Sequence, residues 1–179
     1  MSAFVVFHTA VSVMAVPLGL LAFVRDGKID PQNRVGKLYL AAMLVGSLSA
    51  FGFILTKGFN PAQVLTIATL VLLFVGTFAE QTKWLGRAGA YVQTFSLSAS
   101  YLLLMVFTTT ETLVRVPVGH PFAANAESPE LLPVRLALLV AFVFGLRYQL
   151  FELRATRRNN SQGAVQTKSA NEKELSGVR

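Results

Sequence analysis

A few polar residues lie inside or beside long apolar runs of this chain, and they are the ones that could carry chemistry. They are His8, Ser12, Gln93, Glu111 and Arg115. Ionisable groups within an apolar span are costly in lipid and often mark proton or ion pathways. If these side chains faced one another, they would form a polar cluster suited to that task. The alternative is structural, with His8 making one hydrogen bond to a neighbouring helix.

Glu111 and Arg115 also have a simpler interpretation. They are four residues apart, with the acid first, which is the favoured order for an ion pair on one helix face. We therefore weigh a helix-end ion pair against an inward-facing role beside His8. Gln93 needs a partner within the protein, and we expect an interhelical hydrogen bond.

The two histidines, His8 and His120, are candidate ligands of haem or a metal ion. The chain contains no cysteine, which excludes disulfides, thiolate metal sites and covalently attached haem. No spaced ligand motif accompanies the histidines. We predict no bound cofactor or metal, and we keep haem b, held by both histidines, as an alternative to a structural His8 and a solvated His120.

No catalytic residue is predicted. The sequence contains no nucleophile paired with a base, no glycine-rich phosphate loop and no spaced metal motif. These absences favour a protein that is not an enzyme.

Composition places the chain among membrane proteins. Charged residues make up 14%, against about a quarter in soluble domains, and the mean hydropathy is +0.54. The net charge of +7 would suggest nucleic acid as the partner of a soluble protein. Here the basic residues cluster beside the apolar runs, so we expect the lipid bilayer as partner and no nucleic acid.

The apolar runs predict an all-α, polytopic membrane helical bundle. Each run has about the 20 residues that a bilayer core requires. The five predicted spans are residues 3–24, 36–56, 62–80, 88–110 and 132–151, within a transmembrane domain over residues 1–153. The N-terminus lacks the positive region of a signal peptide, so we expect the first span to be retained. Residues 154–179 are polar without apolar periodicity and are predicted to form a disordered cytoplasmic tail.

Alternate connections differ in basic residues, and this difference predicts the orientation. Only Lys57, Arg115 and Arg135 fall on one side of the membrane, while the other lysines and arginines fall on the opposite side. The positive side is cytoplasmic, which places the N-terminus outside and the C-terminus inside a cytoplasmic (inner) membrane. Tyr39, Trp84 and Tyr148 would then form an aromatic belt at the inner interface.

Small residues at spacings of four or three predict where helices touch. Ser12, Ala15 and Gly19 share one face of the first span with His8, and we expect that face to point inward. Stripes in the second and fourth spans allow close backbone approach. These helix-packing residues are Ala42, Gly46, Ala50, Ala90, Thr94 and Ser98.

The segment from residue 27 to residue 50 carries a further pattern. It contains Gln32, Asn33, Val35, Gly36, Lys37 and Tyr39, with a histidine in the preceding span. This resembles an uncharacterised family of bacterial multi-span membrane proteins, a domain of unknown function, in which a histidine and an arginine precede Leu-Gly-Arg-x-Tyr. Gln32 stands where the family has its second histidine. The resemblance implies a multi-span fold and no particular activity.

Three functional hypotheses follow. The favoured one is a non-catalytic helix-packing or accessory membrane protein, which associates with itself or with another membrane protein. The second is a small transporter or proton-handling protein that uses His8, Gln93 and Glu111. The third is a redox protein that binds haem or quinone through His8 and His120.

Overall fold

The computed structural model describes residues 3–53 and 61–177, and it is all-α in this part of the chain. The five helices are α1 (Ala3–Asp26), α2 (Arg34–Ala50), α3 (Pro61–Phe78), α4 (Gly89–Leu113) and α5 (Leu132–Gly177). Short 3-10 turns precede α4 and α5 and follow α2. The prediction of an all-α fold is confirmed.

Within the described residues, three segments are long and apolar enough to cross a membrane. They are Ala3–Asp26, Lys83–Leu113 and Pro129–Asn159. Ala62–Phe78 is a shorter apolar helix, and α2 has 17 residues. The predicted end of the second span, residues 54–56, and Lys57 lie outside the described residues.

Four helices form a ring, and the fifth lies outside it. α1 packs on α2, α2 on α3, α3 on α4, and α4 closes the ring by contacting α1. α5 packs on α4. Because α4 contacts α1, α3 and α5, and also meets α2 through the Tyr39 and Ser100 side chains, it contributes the longest set of buried residues and is the central helix of the fold.

The connection between α1 and α2 is held by capping hydrogen bonds. Asn33 precedes α2, and its Oδ1 accepts a hydrogen bond of 2.7 Å from the backbone N–H of Gly36. The amide nitrogen of Asn33 donates to the Asp26 carboxylate over 2.9 Å, and Arg25 pairs with the same carboxylate. A Cβ at Gly36 would lie inside the carbonyl group of Asp30, so only glycine permits this approach. Asn33 and Gly36 belong to the segment that resembles the uncharacterised family, and they determine the geometry of this turn.

α5 is longer than the sequence predicts. The helix continues from the apolar segment to Gly177, through residues that we expected to be disordered. The polar part contains no proline, and half of its residues are alanine, glutamine, lysine, glutamate or arginine, which are strong helix formers. Helix propensity can therefore operate here without the apolar periodicity on which the disorder prediction relied.

Candidate functional site

His8 makes a hydrogen bond across the α1–α2 interface. Its Nδ1 lies 2.7 Å from the Ser49 hydroxyl, and that hydroxyl donates to the Gly46 carbonyl over 2.8 Å. Because serine has one hydroxyl hydrogen, Ser49 must accept from His8, which places a proton on Nδ1. Both side chains are half-buried. A hydrogen bond to a neighbouring helix is what a structural role for His8 requires, and the Gly46 backbone is a second partner of the imidazole on α2.

The rest of the predicted polar cluster is assembled only in part. Glu111 forms an ion pair with Arg115 one turn later, and both side chains are exposed. Glu111 is close enough for its charge to act on the His8 imidazole. Gln93 is buried on the same helix as Glu111, but 18 residues of helix rise separate them by about 27 Å. Gln93 therefore cannot join Glu111 in one cavity.

Ser12 lies against Gly46 at the α1–α2 interface. A Cβ at Gly46 would meet the Ser12 hydroxyl at 3.0 Å. Ser12 thus belongs to the packing interface, about one turn after His8 on α1. The structure assigns this predicted cluster member a contact with the α2 backbone.

The predicted helix-packing residues are buried or half-buried. On α4, Ser98 donates a hydrogen bond of 2.8 Å to the Gln149 side chain of α5. On α3, Gly76, which the sequence analysis did not single out, lies against the Leu97 side chain, with a virtual Cβ 2.6 Å from it. The six predicted positions all lie on partly or fully covered faces: Ala42, Gly46, Ala50, Ala90, Thr94 and Ser98.

His120 lies in the exposed connection between α4 and α5. Its backbone N–H donates to the Pro117 carbonyl, and its side chain is exposed. Among the described residues no hydrogen bond joins His120 to His8, and no group of three or more metal-binding side chains occurs. Ligation of haem by this pair stays a prediction.

Sequence reasoning missed the most enclosed polar contact of the described chain. The Tyr39 hydroxyl lies 2.9 Å from the Ser100 hydroxyl, and both residues are 0% exposed. Ser100 donates to the Leu97 carbonyl, so Tyr39 is the donor to Ser100. The prediction of Tyr39 in a belt facing the interface is wrong, because its ring is enclosed between helices. Trp84 and Tyr148 are exposed, as belt residues would be.

A glycine on α1 makes room for this contact. A Cβ at Gly19 would lie 2.4 Å from two ring carbons of Tyr101 and 3.1 Å from the Tyr39 ring. Tyr101 also packs edge-on against Phe23, with ring centroids 5.1 Å apart, and donates to the Val16 carbonyl. We call Gly19, Tyr39, Ser100 and Tyr101 the tyrosine junction. The inward face predicted for α1 pointed to Gly19 but could not name the rings that fill the space.

The hydroxyl groups of the interior are mostly bonded to the backbone of their own helix. Thr66 donates to Ala62 and Thr69 to Leu65, each over 2.9 Å. Thr94 donates to Ala90 over 2.8 Å. Each of these three hydroxyls donates its only hydrogen to a carbonyl of its own helix, which leaves the helix surface free to pack closely against a neighbour.

Comparison with protein-family models, with curated proteins and with solved structures finds no match to this chain. The likeness to the family of unknown function stays a prediction. The site is therefore interpreted from its own geometry.

Proposed function

We propose that the chain is a five-span protein of the cytoplasmic membrane, with its N-terminus outside and its C-terminus inside. Three segments are long and apolar enough to cross, and α2 and α3 complete a ring with two of them. At 1.5 Å per residue, α2 and α3 rise about 26 and 27 Å, close to the 30 Å of a bilayer core. The crowding of lysine and arginine at one end of the ring supports the orientation.

Within that membrane, the function that the geometry supports best is non-catalytic helix packing, as an accessory protein. The observation that carries this proposal is the bonding of the buried hydroxyls. Thr66, Thr69, Thr94 and Ser100 each donate to a carbonyl of their own helix. A pathway for protons or ions needs polar groups that can exchange partners across the bilayer. These groups instead donate to carbonyls three or four residues earlier in their own helix.

The outer faces of α1 and α5 supply apolar surface for lipid or a protein partner. Val24 is 78% exposed on α1, and Phe144 and Phe151 are about 70% exposed on α5. In a bilayer such faces contact acyl chains or another transmembrane helix. An accessory protein requires this kind of surface.

Native mass spectrometry of the full-length protein, released from nanodiscs, tests the accessory role. We expect a defined assembly, either of identical subunits or with a second membrane protein at fixed stoichiometry. A strictly monomeric protein that carries no other subunit would contradict the proposal.

His8 supports a second candidate function, proton handling at the outer end. The observation in its favour is that the imidazole is half-buried, bonded to Ser49 and within electrostatic reach of Glu111. Proteoliposomes loaded with a pH-sensitive dye would test it. Proton flux lost in both His8→Gln and Glu111→Gln but retained in Ser47→Ala would support this function. Flux equal to that of empty vesicles for the unaltered protein would contradict it.

A further inference from the structure

Two distant parts of the chain meet at the basic end of the fold. Arg157 on α5 donates from Nη1 to the backbone carbonyl of Arg87 over 2.6 Å. The same guanidinium lies over the ring of Tyr91, 5.2 Å from the ring centroid. These contacts hold the polar extension of α5 against the start of α4.

The contact brings together two basic segments that are far apart in sequence. Arg154 and Arg158 lie close to Arg157 in the sequence of α5, while Lys83 lies four residues before Arg87. Within the described residues, Lys83, Arg87, Arg154 and Arg158 form no ion pair with a carboxylate. The nearest acids in sequence are Glu80 and Glu152, which leaves a net positive surface. We call Lys83, Trp84, Arg87, Arg154, Arg157 and Arg158 the Arg157 surface.

A corner at Gly86 shapes the Arg157 surface. Gly86 has φ +45° and ψ −120°, a conformation that favours glycine, and it interrupts the 3-10 turn just before Arg87. Trp84, on the other side of this corner, is 95% exposed. An exposed tryptophan among cations is typical of the depth at which lipid headgroups meet acyl chains.

We propose that the Arg157 surface binds the phosphate groups of anionic phospholipids in the cytoplasmic leaflet. This inference rests on the proposed topology, which places this end of the helices at that leaflet. Arg87, Arg154 and Arg158 can each offer a planar fork of N–H donors to phosphate oxygens, and Trp84 lies beside the same headgroups. Charge complementarity with an anionic lipid selects this occupant, since the surface is cationic and lies next to apolar spans.

The single tryptophan of the chain provides a local readout of this interaction. Full-length protein would be reconstituted in phosphatidylcholine nanodiscs containing the same fraction of acyl-brominated phosphatidylglycerol or acyl-brominated phosphatidylcholine. Bromine quenches tryptophan fluorescence on contact. We expect brominated phosphatidylglycerol to quench Trp84 about twofold more strongly, because each nearby basic residue enriches anionic lipid.

Matched variants separate a local site from general positive charge. We expect both brominated lipids to quench Trp84 equally in a triple variant with Arg87→Gln, Arg154→Gln and Arg158→Gln. A control triple with Lys28→Gln, Arg34→Gln and Lys37→Gln removes the same charge from the α1–α2 connection and start of α2, and it should keep the twofold preference.

The outcomes distinguish this inference from the topology on which it rests. Equal quenching of the unaltered protein by the two lipids, or loss of preference in the control triple, would overturn the lipid site alone. Absence of quenching by either lipid would place Trp84 away from the bilayer and would overturn the proposed topology as well.

Discussion

Two hydrogen bonds between helices show how differently this protein uses its polar side chains. The Tyr39–Ser100 bond is fully enclosed between α2 and α4, with both residues at 0% exposure. The His8–Ser49 bond joins α1 and α2 near the start of α1, where both side chains are half-buried. His8, a residue type with an ordinary pKa near neutral, lies at the margin of the bundle. Tyr39, a residue type with a higher ordinary pKa, lies in its centre.

The difference indicates that the side chain that stays neutral more easily is the one that is more deeply buried. A phenol stays neutral at physiological pH and satisfies its hydroxyl with one partner, so it tolerates full enclosure. An imidazole titrates near neutral pH, and a half-buried position leaves it able to exchange partners. The tyrosine junction is thus the structural centre, and the His8 end is where chemistry could occur. Three predictions test this contrast.

Replacement of Gly19 should have the largest effect. Gly19→Ala would place a methyl group 2.4 Å from the Tyr101 ring, and we expect a loss of about 1–3 kcal/mol from overpacking. Unfolding in detergent, followed by circular dichroism, would measure it. Gly145→Ala on α5 is the matched control, because nothing lies within 4 Å of its added Cβ. Equal stabilities for the two variants would show that the junction is not tightly packed.

Removal of the Tyr39 hydroxyl should have an intermediate effect. Tyr39→Phe keeps the ring and deletes one buried hydrogen bond, at an expected cost of about 1 kcal/mol. Ser100 still donates to the Leu97 carbonyl, so no donor is stranded. The same unfolding assay applies. A variant as stable as the unaltered protein would remove the basis for placing the structural centre here.

Removal of the Ser49 hydroxyl should have the smallest effect. Ser49→Ala deletes one partner of His8, but the Gly46 backbone is a second partner and water can reach a half-buried imidazole, so we expect a loss of about 0.6 kcal/mol or less. Ser47→Ala, on the same helix, is the control. If Ser49→Ala destabilised the protein more than Tyr39→Phe does, the contrast between the two regions would be reversed.

Much of the helical architecture could be predicted from the sequence, because hydropathy and length report directly on spans. Gly19 and Gly46 were recognisable as contact residues, since small residues at helical spacing admit a neighbour. Tyr39 was misplaced, because its position beside basic residues resembles that of an interfacial aromatic. Only the packing of α4 against α2 shows that Ser100 lies opposite its hydroxyl.

Other features depend on contacts that are distant in sequence. The docking of Arg157 on Arg87 and Tyr91 joins segments about seventy residues apart, and neither segment has a motif that indicates the other. The separation of Gln93 from Glu111 was, by contrast, available from helix rise alone. The helical extension of α5 agrees with the helix propensity of its residues. The disorder prediction considered only the absence of apolar periodicity.

The central claim is that the helices cross a bilayer in alternating directions, and labelling of single cysteines tests it most directly. Because the chain has no cysteine, each introduced thiol reports one position. Intact cells would be treated with a membrane-impermeant maleimide. We predict that Ser2→Cys and Ala124→Cys are labelled from outside, whereas Lys28→Cys, Lys83→Cys and Gln162→Cys react only after permeabilisation. Labelling of positions 2 and 28, or of positions 2 and 162, from the same side would contradict the account.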